Sequence, residues 1–162
     1  MKLGDNKKSV MLNFQHPVKE LYFVSQSEES VQNNYPNEYN TITNVKLQFN
    51  NETVFNRNTK FLGYEQPLKH HLNSPQIDII ALSSPFSNSV YHFGPASFGM
   101  YSFSLKPEVH YPTGQVNMSR ITHKMLTMEI DPINTIDDNN TRIYAVNYNV
   151  LRFESGLAGL KF

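Results

Sequence analysis

Residues 101–120 read Tyr-Ser-Phe-Ser-Leu-Lys-Pro-Glu-Val-His-Tyr-Pro-Thr-Gly-Gln-Val-Asn-Met-Ser-Arg, and the stretch changes character twice. It opens as a strand, because Tyr101, Phe103 and Leu105 alternate with Ser102 and Ser104 and so share one face. It breaks at Lys106-Pro107, crosses a loop holding Pro107, Pro112 and Gly114, and restarts at Asn117-Met-Ser119-Arg120. A strand that ends in Pro and Gly punctuation with no helical crossover after it belongs to an antiparallel architecture.

Working outward, the same period of two recurs. Short strands are expected over Ser9–Phe14 and Val18–Ser25, the latter apolar on both faces and so covered on both sides. Val45, Leu47 and Phe49 alternate with Lys46 and Gln48, and Asn50-Asn51-Glu52 supplies turn chemistry. Thr53–Phe55 resumes the chain, and Asn58–Gln66 reads as a short helix or turn. Further strands are expected at Ile77–Leu82, Ser89–Phe93 and Phe98–Leu105. At His123–Ile130, Leu126, Met128 and Ile130 point inward. Thr141–Phe153 is expected to be the last and longest strand. About eight strands joined by turn-rich loops is the count of an all-β antiparallel sandwich with jelly-roll topology. Ser25–Asn44 is a long polar loop, and with the Ser83–Pro95 region it is a candidate contact loop.

Composition supports strands: Phe and Tyr number 11 and 9, and 39% of the 162 residues are hydrophobic, a mix that suits half-buried pleated surfaces. Equal counts of 14 basic and 14 acidic residues give zero formal charge, which argues against direct nucleic-acid binding. With no cysteine, disulfides and cysteine metal sites are excluded. No apolar run approaches the ~20 residues of a membrane span.

Catalytic chemistry has no clear carrier. His70 and His71 are adjacent and on a strand would face opposite ways; His16, His92, His110 and His123 are scattered, so solvent-facing or loop-anchoring roles are expected. Neither a nucleophile elbow nor a phosphate-binding glycine loop occurs. No cofactor, metal or enzymatic activity is expected. Asn51, Asn117 and Asn139 each begin an Asn-x-Ser/Thr sequon and are candidate glycosylation acceptors. Asn117 is expected to bond the backbone of the loop it follows, and Arg120 to pair with a carboxylate or cap nearby carbonyls. Gly156 and Gly159 read as a hinged tail leaving the last strand.

Four blocks, in order, resemble the major capsid protein family of large eukaryotic DNA viruses, the double jelly-roll family. His16-Pro17-Val-Lys-Glu-Leu and the residues to Gln26 look like its HPVKEL block. Gln66-Pro-Leu-Lys-His-His71 resembles its QPYxHH block. Residues 101–120, with Lys106, Pro107, Gly114, Asn117, Ser119 and Arg120, are similar to its YSFALKPEEHQPSGxxNFSR block. The ending from Tyr144, with Asn147, Asn149, Arg152, Gly156 and Gly159, resembles its YAVNYNVLRxxSGxxGL block. The resemblance implies a single jelly-roll domain over residues 1–162, corresponding to the C-terminal half of a two-jelly-roll chain. It implies a shell subunit in the virion, assembled in the host cytoplasm. The subunit would self-associate as a homotrimer that meets neighbouring capsomers and minor capsid proteins. A face left bare by the missing half is expected. The alternative from strands and aromatics alone is a carbohydrate-binding or cupin-like module.

Overall fold

The structure, a computed structural model, describes residues 7–33, 39–71, 79–81, 91–93, 98–130 and 139–161. In chain order its elements are β1 (Lys7–Met11), β2 (Pro17–Ser27), α1 (Glu28–Gln32), β3 (Ile42–Phe49), β4 (Glu52–Asn58), a π-helical turn (Phe61–Glu65), α2 (Gln66–His70), β5 (Ile79–Ala81) and β6 (Tyr91–Phe93). There follow β7 (Phe98–Ser102), β8 (Val116–Asn117), a 3-10 turn (Met118–Arg120), β9 (Lys124–Ile130), β10 (Asn139–Asn147), β11 (Leu151–Glu154) and β12 (Leu157–Leu160).

Eight of these strands form two antiparallel sheets. One runs β1-β9-β3-β4; the other runs β10-β2-β7, with β8 also on β2. The remaining four make two separate hairpins, β5-β6 and β11-β12. Seven expected strands fall in this body, as β1, β2, β3, β4, β7, β9 and β10; those expected at Ile77–Leu82 and Ser89–Phe93 coincide with β5 and β6 of a separate hairpin, and β8 was not expected.

The inner faces follow the alternation of the sequence. Val45 and Leu47 of β3, and Leu126 and Met128 of β9, are fully buried against Leu21 and Phe23 of β2. Each such side chain contributes roughly 1.5–3 kcal/mol of transfer free energy. Phe55 of β4 stacks on Tyr101 of β7 at 4.1 Å between ring centroids, joining the two sheets. Gly99 lies opposite Phe23 in the β2–β7 register; a Cβ there would stand 1.9 Å from the Phe23 ring. Two-residue turns close two hairpins with both residues at positive φ, Asn50 and Asn51 at 49° and 70°, Ser155 and Gly156 at 50° and 78°. That is the type I′ geometry whose twist matches the strands.

Four expectations are corrected. The strand expected to reach Leu105 ends at Ser102, because the Ser102 hydroxyl donates to the Ser104 carbonyl and accepts from the Ser104 amide, curling the chain; Leu105 is exposed, not inward. The long last strand stops at Asn147, after a register shift at Val146/Asn147; the Tyr148 amide then turns to the Pro17 carbonyl. The Gly156–Gly159 tail is not a hinge but the turn and second strand of a hairpin. The polar loop is shorter than expected, since β2 continues to Ser27, α1 follows and β3 begins at Ile42. Most of the Ser83–Pro95 region lies outside the described residues.

Candidate functional site

Three segments far apart in the chain meet on the outer face of the β10-β2-β7 sheet. The first is β2, where Glu20 and Tyr22 point away from the core. The second is the helical stretch ending in α2, with Pro67 in its first turn, a position that spares the helix its missing amide. His71 caps that helix, donating its amide to the Pro67 carbonyl. The third is the loop after β7.

His71 stands between two acids. Its Nε2 lies 3.0 Å from Glu20 Oε2, and its Nδ1 lies 3.1 Å from Glu108 Oε1. Both carboxylates are satisfied together only when both ring nitrogens carry a proton. Glu20 is almost wholly buried, while Glu108 is about one-third exposed, so the inner contact is the stronger one. The Tyr22 hydroxyl lies 3.2 Å from Nε2, and its ring meets the imidazole edge-on. Burial pushes the Tyr22 hydroxyl above the usual phenol range, and the charge and hydrogen bond of Glu20, with the charge of Glu108, push the same way.

The same junction anchors the Pro-rich loop. The His70 Nδ1 lies 3.2 Å from the Leu105 carbonyl, and Lys19 Nζ donates to the Pro107 carbonyl at 2.6 Å. The loop-anchoring reading of the histidine pair therefore holds, although the pair ends a helix instead of lying on a strand. Gln66 Oε1 accepts the Ser102 amide, satisfying a donor on the edge of β7.

The motif residues fall into place around this junction. His16 sits at φ 70°, a region where His is more often found than most side chains; its amide donates to Ser119 Oγ and its carbonyl accepts from the Met118 amide. Asn117 Oδ1 accepts from the Ser119 amide, so Asn117 caps the turn it begins, not the loop it follows. Pro17 opens β2, paired with Asn117. The Lys106 amide donates to Thr113 Oγ1, and Pro107 is buried. Gly114 has φ 151°, and a Cβ there would stand 2.6 Å from the Phe103 carbonyl oxygen. Arg120 is exposed, and no ion pair among the described residues involves it. Lys124 fills the carbonyl-capping role instead, donating to Met118 O and Ile121 O.

The ending block lies apart from the junction. Asn147 ends β10, and Asn149 Oδ1 accepts from the Val150 amide. Arg152 pairs with Glu154 on β11, and Gly156 turns the hairpin. Gly159 faces open space. Of the sequon residues, Asn51 is exposed in its turn, whereas Asn139 Oδ1 accepts from Asn40 Nδ2. Among the described residues no group of three or more His, Asp or Glu could hold a metal ion.

Comparison with known proteins follows the same blocks. The family described as large eukaryotic DNA virus major capsid protein matches residues 1–159. The major capsid protein of Pyramimonas orientalis virus is 34% identical over 98% of this chain and 40% of its own length. That of Chrysochromulina ericina virus is 35% identical over 76% of this chain and 18% of its own. In solved structures, a chain of the PBCV-1 virus capsid superposes with a TM-score of 0.69 at 22% identity, covering 96% of this chain and 46% of that one. The likeness places the sandwich among viral jelly rolls. The chain spans less than half the length of these relatives.

Proposed function

Because the chain belongs to the major capsid protein family of large eukaryotic DNA viruses, we propose that it serves as wall material of an icosahedral shell and performs no catalysis. It corresponds to the second of two jelly rolls and joins trimeric, pseudo-hexagonal capsomers that meet neighbouring capsomers and minor capsid proteins in the virion, after assembly in the host cytoplasm. The family match over nearly the whole chain carries this reading. The Glu20–His71–Glu108 junction supports it, since it ties a surface loop to β2 and α2. Symmetric shells reuse one contact patch many times, so modest contacts suffice.

The test is the mass in solution, by light scattering, of this chain alone and mixed with the remaining half of a relative. A trimer in either condition supports the reading; a monomer in both refutes it. Replacing residues 28–39, which leaves β2 and β3 whole, by a short linker should leave the fold intact and impair assembly. Unchanged assembly would remove that segment from the contact surface.

A further inference from the structure

The His71 ring holds acids from two different elements, and its proton count decides how many it can hold. Nε2 lies 3.0 Å from Glu20 Oε2, and Nδ1 lies 3.1 Å from Glu108 Oε1. An imidazole with a proton on each nitrogen donates to both. A neutral one donates once and turns a lone pair toward the other acid. Two acceptors do not keep a contact of this length without a proton between them. Burial selects which contact opens. The Glu20 side chain is 6% exposed and that of Glu108 is 32% exposed. An acid that loses its donor is costly where water cannot replace it and cheap where water can. The remaining proton therefore stays on Nε2, and Glu108 turns to solvent. The Tyr22 hydroxyl also bonds to Glu20, so its own proton is engaged there.

Other groups around the ring do not follow this proton. Lys19 Nζ donates to the Pro107 carbonyl. His70 Nδ1 meets the Leu105 carbonyl, a contact that needs one N–H, which a neutral ring keeps. In the β10–β2 register Tyr144 lies opposite Tyr22 and Arg142 opposite Val24, so both share this face of the sheet. On the β7 side, uncharged Met100 and Ser102 lie opposite Tyr22 and Glu20. The turn before α2 adds Tyr64 and exposed Glu65, α2 itself exposed Lys69, and the loop exposed Lys106 and His110. We propose that the His71–Glu108 contact is a pH-sensitive strap: it fastens the loop of residues 104–113 while both ring nitrogens carry protons, and opens as pH rises and one is lost. Lys19 and His70 keep the start of the loop in place, so the part that loosens is the tip bearing Tyr111. The proposal does not depend on the shell reading.

The experiment is amide hydrogen exchange of the whole chain from about pH 5 to about pH 9, which spans the range where imidazoles change charge. Rates are divided by those of the unfolded chain at the same pH, which removes the intrinsic pH dependence of exchange. Protection in residues 104–113, where the Lys106 amide donates to Thr113 Oγ1 and the Val109 amide to the Lys106 carbonyl, should fall about two- to fivefold as pH rises, the worth of a partly solvated ion pair. β3 and β9 should not change. E108Q should show flat protection, because an amide can accept from the protonated nitrogen or donate to the bare one. H70Q should fall as the wild type does. Wild-type protection that is flat with pH would overturn the strap; so would a fall that persists in E108Q. Loss of the pH dependence in H70Q would assign it to the neighbouring ring and overturn the role of His71.

Discussion

The Glu20 carboxylate and the His71 imidazole, 51 residues apart in the chain, meet at 3.0 Å beneath the surface of the β10-β2-β7 sheet. The contact fixes the end of α2 on β2, and through the second ring nitrogen it holds the loop bearing Glu108. A carboxyl group this deeply buried is tolerated because the imidazole and the Tyr22 hydroxyl bond to it. Stability should accordingly be more sensitive at the Glu20 side of the ring than at the Glu108 side.

His71→Leu keeps the volume and removes both donors. It should lower stability by about 1–3 kcal/mol, the usual penalty for a buried acceptor left short of a partner, and Glu20→Gln in the same chain should recover part of it. Glu108→Gln alone should cost only about 0.2–1 kcal/mol, since that contact is partly solvated. Urea unfolding midpoints check all three. A loss at Glu108 equal to that at His71 would show that the inner pair is not the stronger one.

Tyr22 should resist ionisation in alkali. Its hydroxyl is held above the usual range in the folded chain, so the folded state binds that proton more tightly than the unfolded one. The contribution is fully present below about pH 10, where a free phenol begins to ionise, and it is lost as pH rises further. Titration of phenolate absorbance should show the Tyr22 phenol lagging until the protein unfolds. Tyr22→Phe should abolish that lagging component.

Gly99→Ala should destabilise the sandwich by about 1–3 kcal/mol through overpacking, because its Cβ would overlap the Phe23 ring. Phe23→Leu should be costly alone, yet the double variant should be less destabilised than the sum of the two. Strict additivity in thermal melts would mean that the ring has room to move aside.

Strands whose partners are set by alternation alone were legible in the sequence. β3 and β9 bury the alternating set expected of them, from Val45 and Leu47 to Leu126, Met128 and Ile130. Where a strand stops was less legible, since it depends on distant bonds. No local pattern announces that the Tyr148 amide leaves its strand to meet Pro17, or that Ser102 curls the chain before Leu105. The junction was half visible. Glu20, His71 and Glu108 each fall inside a block that carried the family resemblance, but their meeting is a product of topology. A signal was present: one histidine pair and two acids in blocks that otherwise read as structural. The Asn50-Asn51 turn was legible because its chemistry is local, whereas Ser155-Gly156 was misread as a hinge because Leu157–Leu160 is too short to declare itself a strand.

The β1-β9-β3-β4 order has a consequence in time. β1 lies beside β9, with Ser9 bonded to Thr127 across 118 residues of chain, and β9 is also the neighbour of β3. During synthesis β3 can pair with β4 at once, but β1 has no partner in this sheet until β9 has been made. Contacts this distant close slowly, because the loop entropy must be lost before they form. A chain that stops short of β9 leaves this sheet without the strand that joins β1 to β3. The sheet is therefore completed only from Lys124 onward, and β1 waits longest of the four strands for its partner.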